Sequence, residues 1–312
     1  MPQAKGGGME IKMKKLSNGY EIPELCFGSG ITQLYRYGNC GKKSEIKYWM
    51  RNFLKNRSQI KKDIGLVKAI DVAMKNGCNM FDTSRAYGGS EYVIGNQLKK
   101  YNRNDFFVVT KLCNSDQYKG DVRAALRKSL DELQMDYVDL YLMHWPVEGC
   151  FVENWKRMEE LYQQGLCKAI GVCNFNIHHL EKLKKEIEIM PMVNQFECHP
   201  LFTQEDLRNY CKAHYIQTMA YTATARMDER LKKTALVQIG KKYNKTIAQV
   251  ILKWHQQIGN IPVVNSYNPA HIIENIDIND FYLTQEEIDK ISKININSRL
   301  RYDPDNCDFT QL

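Results

Sequence analysis

Short runs of apolar and β-branched residues recur along the chain, separated by longer stretches whose apolar positions repeat at helical spacing. The runs are LCFGSG (25–30), NMFD (79–82), FFVVTKL (106–112), VDLYLMH (138–144), KAIGVCN (168–174), MVNQFE (192–197), QTMAYT (217–222) and IPVVNS (261–266). Between them, DVRAALRKSLDEL (121–133) places Val122, Leu126, Leu130 and Leu133 on one stripe, and NWKRMEELYQQG (154–165) ends on a glycine stop. A strand followed by a helix, repeated along the whole chain, predicts an α/β fold closed into a single (β/α)8 TIM barrel. Ahead of it, MEIKMKKLSNGYEIPEL alternates on both sides of Asn18-Gly19, which predicts a β-hairpin plugging the barrel bottom. No internal repeat, low-complexity tract or linker suggests a second domain. Residues 9–312 are expected to form the barrel, with 1–8 a disordered leader or an expression remnant.

In this architecture chemistry gathers at the C-terminal ends of the strands, so polar residues there draw attention. Asp82, Lys111, His144, Asn174, Gln195, Tyr221 and Ser266 all fall at or near the ends of apolar runs. Tyr87 lies just beyond Asp82, followed by Gly88 and Gly89. A tyrosine is a poor acid, with an ordinary pKa of about 10, but a nearby ammonium stabilises the phenolate and lowers that value. Tyr87 could then give a proton to a carbonyl oxygen. Lys111 is the natural cation, Asp82 its counter-charge, and His144 can polarise and orient the carbonyl. Taken singly, each has a plain explanation: a turn acid, a satisfied core histidine, a turn tyrosine. Four together at one mouth are not explained that way.

Composition narrows the classes. At 312 residues with 43% hydrophobic and 26% charged, the chain is ordinary for a globular protein of one barrel. It contains no run of 18 apolar residues, and its first residues lack the apolar core of a signal peptide, so a cytoplasmic protein without a membrane span is expected. Its ten cysteines form no CxxC pair and sit mostly in apolar stretches; they read as free core thiols, with no metal site expected. No GxGxxG follows a strand, which argues against a Rossmann site and requires any dinucleotide to lie across the barrel mouth.

The chain resembles the aldo-keto reductases from Met9 to its end. The resemblance rests on FDTSRAYGGSEYVIG (81–95), VVTKL (108–112), DYVDLYLMHWP (136–146), GLCKAIGVCNF (165–175), PMVNQFECHP (191–200) and RYDPDNCDF (301–309). It implies Tyr87 as proton donor, Lys111 and Asp82 as its tuning pair, and His144 as the carbonyl-orienting group. It also implies NAD(P)H bound extended across the mouth, near Gly30, Ile31, Asp82 and Thr222. Asn174 and Gln195 would hold the carboxamide and Tyr221 would stack on the ring. Cys173 stands where the family usually has serine. The strand-seven motif, normally Tyr-Ser-Pro-Leu-Gly, reads YTATA (221–225). In strand eight Asn265 and His271 occupy the positions of a lysine and an arginine that meet the adenosine 2′-phosphate, while Ser266, Glu274 and Asn275 fit the pattern. Each lost charge-assisted contact is worth about 1.5–3 kcal/mol, which favours NADH or a dual preference.

Net charge adds one complication. Residues 42–62 hold eight basic side chains against Glu45 alone, nearly all of the chain's +8. They belong to a long insertion after strand one (31–62), in which Ile46, Trp49, Met50, Phe53 and Leu54 fall at helical spacing. Such a lid could attract an anion, either the 2′-phosphate or an acidic substrate, or it could be a solvated face on an ornament of the barrel. Trp145 and Trp49 are expected to wall the substrate pocket with Tyr87 and His144, and the tail 298–309 to close a third side over the mouth, with Arg299 or Arg301 able to meet an acid. The activity implied is a reversible NAD(P)H-dependent reduction of an aldehyde or ketone, with hydride from nicotinamide C4 and the proton from Tyr87. Two alternatives stay open: a nicotinamide-binding regulatory or scaffold barrel without turnover, and a specialised biosynthetic ketoreductase silent on generic aldehydes. The expected partner is a small carbonyl compound, with an anionic one left open, and the expected state a monomer that binds neither nucleic acid nor membrane.

Overall fold

The computed structural model of the protein describes residues 12–30 and 65–309. Two antiparallel strands come first, β1 (Met13–Lys15) and β2 (Glu21–Pro23), in register Met13↔Pro23. Leu16 N–H donates to Tyr20 O at 2.8 Å, so the turn is a three-residue loop, Ser17-Asn18-Gly19, with Gly19 at φ +85°. The two-residue Asn-Gly turn read from the sequence is therefore one residue longer. Tyr20 OH donates to Asp139 Oδ1 at 2.6 Å and Asn18 Nδ2 to Lys168 O at 3.0 Å, which seats the hairpin against the N-terminal ends of the barrel strands.

The eight apolar runs become β3 (Cys26–Gly28), β4 (Met80–Asp82), β5 (Phe107–Leu112), β6 (Leu140–Met143), β7 (Ile170–Cys173), β8 (Val193–Glu197), β9 (Gln217–Tyr221) and β10 (Ile261–Val264). All neighbours pair in parallel and β10 closes on β3, giving one barrel. Parallel strands covered by helices are buried on both faces, and this is why they appear in the sequence as continuous rather than alternating apolar runs. Six of them, β3, β4, β6, β7, β8 and β10, are buried at every position.

The helices are α1 (65–75), α2 (Ser90–Leu98), α3 (Asn114–Lys119), α4 (Val122–Leu133), α5 (Phe151–Gln163), α6 (Ile177–Lys184), α7 (Glu205–Ala213), α8 (Leu236–Tyr243), α9 (Ile247–Gln257), α10 (Pro269–Ile276) and α11 (Gln285–Ser292). Several of their starts are capped by side chains. Asp121 accepts from Ala124 N on α4, and Thr246 and Thr284 open capping boxes with Gln249 and Glu287. α5 begins three residues before the Asn154 expected from spacing, because Phe151 is drawn into the core edge-on against Phe175, with ring centroids 5.5 Å apart. The nine cysteines among the described residues are free, and seven are buried. No helix among the described residues is long and apolar enough to cross a membrane. The insertion 31–62, with Ile31 and Trp49, lies outside the described residues.

Beyond α11 the tail crosses the C-terminal ends of the strands. Leu300 N–H and Arg301 N–H donate to the Glu197 carboxylate at 2.6 and 3.1 Å, Asn176 Nδ2 donates to Asp305 at 2.8 Å, and Phe309 reaches Trp145, ring centroids 6.1 Å apart. These contacts follow the ends of β6, β7 and β8.

Candidate active site

Strand register builds the site. Asp82 is level with Val109 on β5, and Lys111, two residues further along on the same face, reaches back to it. Lys111 is in turn level with Leu142, two residues before His144, and Cys173 is level with Gln195. Each step around the barrel thus climbs along the strands, as barrel stagger requires, and the polar residues gather at one mouth. Tyr87 arrives by another route. Ser84 is extended and caps a 3₁₀ turn, Arg85–Tyr87, by accepting from Ala86 N, and Gly88 at φ +66° ends it. The turn brings the Tyr87 ring over the Lys111 ammonium, 4.9 Å from the ring centre, and edge-on to His144, with centroids 5.8 Å apart.

The four groups expected to act together are therefore in contact. Lys111 Nζ donates to Asp82 Oδ1 at 2.6 Å and to Thr83 O at 2.9 Å, and both side chains of the pair are buried. Burial opposes the ammonium, but Asp82 outweighs it and holds Lys111 above the usual lysine value. Tyr87 departs from expectation. Burial raises its phenol above the ordinary value, and Lys111 only partly offsets this because Asp82 pushes the same way as burial. The sequence argument counted the cation and not the loss of water around the phenol. His144 is pushed down to about 3 by burial and then by Lys111, so its imidazole is neutral at physiological pH.

The second ring of residues is knitted together. Gln195 Nε2 donates to Asp82 Oδ2 at 2.8 Å, while the Cys173 thiol approaches Gln195 Oε1 at 3.7 Å. Asn174, in the left-handed region at φ +63°, donates to His144 O at 3.0 Å and accepts from Tyr221 OH at 2.6 Å. Tyr221 is thereby fixed by its hydroxyl. Among the described residues Gln195 Oε1 has only a long contact to a weak thiol donor, so it keeps acceptor capacity of the kind a carboxamide N–H could use, beside the tethered Tyr221 ring. Gly30 lies beside it: a Cβ there would come within 3.0 Å of the Tyr87 ring. At the far end, Asn265 Nδ2 bonds the Gly30 carbonyl, and Ser266 Oγ accepts from Asn268 N at 3.2 Å. On α10 His271 is exposed, Asn275 is buried, and Glu274 accepts from Thr246 Oγ1 at 2.6 Å, so its carboxylate is already engaged with α9.

Trp145 stands between His144 and Phe309, with centroids 6.4 and 6.1 Å away, and so joins the tail to the cluster of Tyr87 and His144. Of the two tail arginines, Arg299 turns to Asp303 and the Phe202 ring, whereas Arg301 Nε meets Thr222 Oγ1 at 3.3 Å. Sequence reasoning missed Glu197. Glu197 lies two residues after Gln195 on β8, hence on the same face, and that alternation was the available signal. His178, His179 and Asp305 also cluster; His179 Nδ1 accepts from Asn176 N at 3.1 Å, so its Nε2 carries the proton and faces Asp305 as a donor that helps hold the tail.

Comparison with known proteins bears on the family and the fold. The family model for the aldo/keto reductase family matches residues 55–296. The chain is 43% identical over 243 residues to the glyoxal reductase of Bacillus subtilis (strain 168), covering 78% of this chain and 88% of the relative. Among solved structures, an aldo/keto reductase from Brucella melitensis superposes with a TM-score of 0.77 at 35% identity, covering 91% of this chain and all of the other. A Bombyx mori aldo-keto reductase in complex with NADP superposes with a TM-score of 0.80 at 28% identity, covering 95% and 96%.

Proposed function

The chain belongs to the aldo/keto reductase family of NAD(P)-dependent oxidoreductases acting on carbonyls, and from that premise we propose that it reduces a small aldehyde or ketone to the alcohol with Tyr87 as proton donor. The observation that carries this reading is a neutral phenol packed on a buried ammonium and edge-on to a neutral imidazole. A nicotinamide held by Asn174, Gln195 and Tyr221 would supply the hydride. As negative charge develops on the oxygen, the Tyr87 proton moves to it, and Lys111, 4.9 Å from the ring centre, stabilises the phenolate left behind. A phenol with a raised pKa is fully protonated at neutral pH, which is the state a donor needs. Ser84 Oγ accepts from Ala86 N, so its own proton is free to face His144 Nδ1 at 3.4 Å, leaving the other imidazole nitrogen as the donor toward a carbonyl. Asp82, shared between Lys111 and Gln195, ties proton donor and carboxamide site to one carboxylate.

Asn174, Gln195, Cys173 and Tyr221 would hold the nicotinamide end, and Gly30, Asn265, Ser266, His271 and Asn275 the rest. The neutral Asn265 and exposed His271 support NADH use or a relaxed preference. For substrate, glyoxal and small reactive aldehydes follow from the Bacillus subtilis relative's name. The test is turnover of glyoxal and 4-nitrobenzaldehyde with NADH and NADPH by wild type and Tyr87→Phe. Loss of the phenolic proton should lower kcat by about 10²–10⁴-fold with cofactor binding intact. Equal rates in the two proteins would remove Tyr87 from the mechanism.

A further inference from the structure

The turn that carries Tyr87 is weakly held by packing. Arg85, Ala86 and Tyr87 make a single 3₁₀ turn, none of whose residues is fully buried, and two glycines follow it. A Cβ at Gly89 would meet nothing within 4 Å among the described residues, so no side chain presses on that end. A 3₁₀ turn this short has little stability of its own. Polar contacts must therefore keep the phenol over the Lys111 ammonium.

One such contact comes from α3. Arg85 Nε donates to Asp116 Oδ2 at 3.0 Å, reaching 31 positions along the chain. The Asp116 side chain is only 8% exposed, against 23% for Arg85, so the pair is partly screened from water. The Cys113 thiol donates to the same oxygen at 3.0 Å, and Lys119 Nζ to the other at 3.3 Å. Burial opposes the Asp116 charge, but the Cys113 thiol and then Arg85 outweigh it and hold the carboxyl below its usual value.

The far end of this contact is itself fixed. Asn154 Nδ2 on α5 donates to Gln117 O at 3.0 Å, and Gln117 Nε2 donates to Trp145 O at 3.1 Å. Asn114 Nδ2 donates to Phe309 O at 3.2 Å. α3 is thus a post tied to α5, to Trp145 and to the tail, and Arg85 ties the Tyr87 turn to that post. A charge-assisted hydrogen bond from a planar guanidinium fixes direction as well as distance.

We propose that Arg85 and Asp116 are positioning residues that brace the Tyr87 turn against α3 and so hold the phenol where a carbonyl oxygen can take its proton. Both act through the turn and not by touching substrate. The task given to the phenol rests on the reductase reading above; the brace itself does not.

The experiment compares wild type with Arg85→Ala, Arg85→Lys, Asp116→Ala, the Arg85→Ala/Asp116→Ala double variant and Lys119→Ala. Reduction of 4-nitrobenzaldehyde gives kcat and KM, intrinsic fluorescence gives NADH and NADPH binding, and urea unfolding gives the folded fraction. In parallel the proteins are labelled with 3-fluorotyrosine, and the Tyr87 fluorine resonance is assigned by its loss in Tyr87→Phe. Arg85→Ala and Asp116→Ala should each lower kcat by about tenfold or more, since a small misplacement of a reacting group can cost about 10²-fold. Cofactor binding should not change, and Arg85→Lys should recover part of the rate. The double variant should be no slower than the slower single, because both remove one contact. Lys119→Ala, which removes the cation on the other oxygen, should match wild type. The Tyr87 resonance should shift in Arg85→Ala and Asp116→Ala and move back in Arg85→Lys. An unmoved resonance or an unchanged kcat in the two alanine variants would overturn the proposal. So would a loss of folded protein that accounts for the whole fall in rate, or a fall in Lys119→Ala as large as in Arg85→Ala. If wild type reduces no aldehyde, the reductase reading fails, and the fluorine resonance alone then upholds or overturns the brace.

Discussion

Lys111 and Asp82 form a buried ion pair at 2.6 Å, with side chains only 1% and 5% exposed, and Tyr87 rests on the cation of that pair. Removing one member of such a pair strands a charge without water, which typically costs about 3–5 kcal/mol. Asp82→Ala should therefore lower unfolding stability by about 3–5 kcal/mol, and the Asp82→Ala/Lys111→Met double variant by less than the sum of the singles. Urea unfolding of the four proteins measures the coupling. Additive losses would mean that the pair is not the stabilising unit, whatever it does for catalysis.

The pH profile of reduction follows from two shifted groups. With His144 near 3 and Tyr87 above its ordinary value, neither changes protonation between pH 5 and 9. The kcat/KM for reduction should be flat across that range and fall only as pH rises through the raised tyrosine value. An inflection near the ordinary histidine value would show that His144 is solvated in the working enzyme.

Stability has a different pH dependence. Burial holds His144 and His255 down to about 3 and His179 to about 4, all below an unfolded value near 6.5. The folded chain stays unprotonated at these sites while the unfolded chain takes up protons. Their contribution is complete above about pH 6.5 and is lost as pH falls toward the folded values. Each histidine adds a slope of up to about 1.4 kcal/mol per pH unit. His255→Gln should remove about a third of the slope between pH 6 and 5, as read by urea unfolding at several pH values. An unchanged slope would mean that His255 protonates without penalty.

Gly95 lies where α2 crosses α4. A Cβ there would stand 2.3 Å from the Leu133 carbonyl oxygen, a backbone atom that cannot rotate away. Alanine gains about 1 kcal/mol of helix propensity, but overpacking costs about 1–3 kcal/mol or more. Gly95→Ala should therefore destabilise the protein while leaving KM unchanged in the folded fraction. A stabilised variant would mean that the two helices separate at little cost.

The barrel was readable because its parallel strands are buried on both faces and so stand out as apolar runs, with Asp82, Lys111 and His144 marking where they end. The sign of the Tyr87 shift was not readable, since it depends on how much water surrounds the phenol. The engagement of Gln195 with Asp82, 113 positions apart, was equally invisible. Sequence patterns report which residues face one mouth; they do not report which of those residues have satisfied one another.

Glu197 is the plainest case of a role that depends on distant partners, because its carboxylate binds the tail's backbone as well as His199. Its buried carboxylate accepts the N–H groups of Leu300 and Arg301, and its carbonyl accepts from Gln204 Nε2 at 2.7 Å. Glutamine keeps the shape but offers one acceptor oxygen and turns an amide donor toward the second N–H. A hydrogen bond to a charged group is worth about 1.5–3 kcal/mol, so Glu197→Gln should weaken the tail's attachment by that amount. Local opening of the tail would then become about 10–100-fold more frequent without unfolding the barrel. Trypsin should cut after Arg299 or Arg301 correspondingly faster, and KM for aromatic aldehydes should rise, since Phe309 and Arg301 reach the mouth through the same tail. Cleavage at the wild-type rate, with thermal unfolding unchanged, would show that the tail is held at its Asp305 and Phe309 contacts and that Glu197 serves only to satisfy the amides above it.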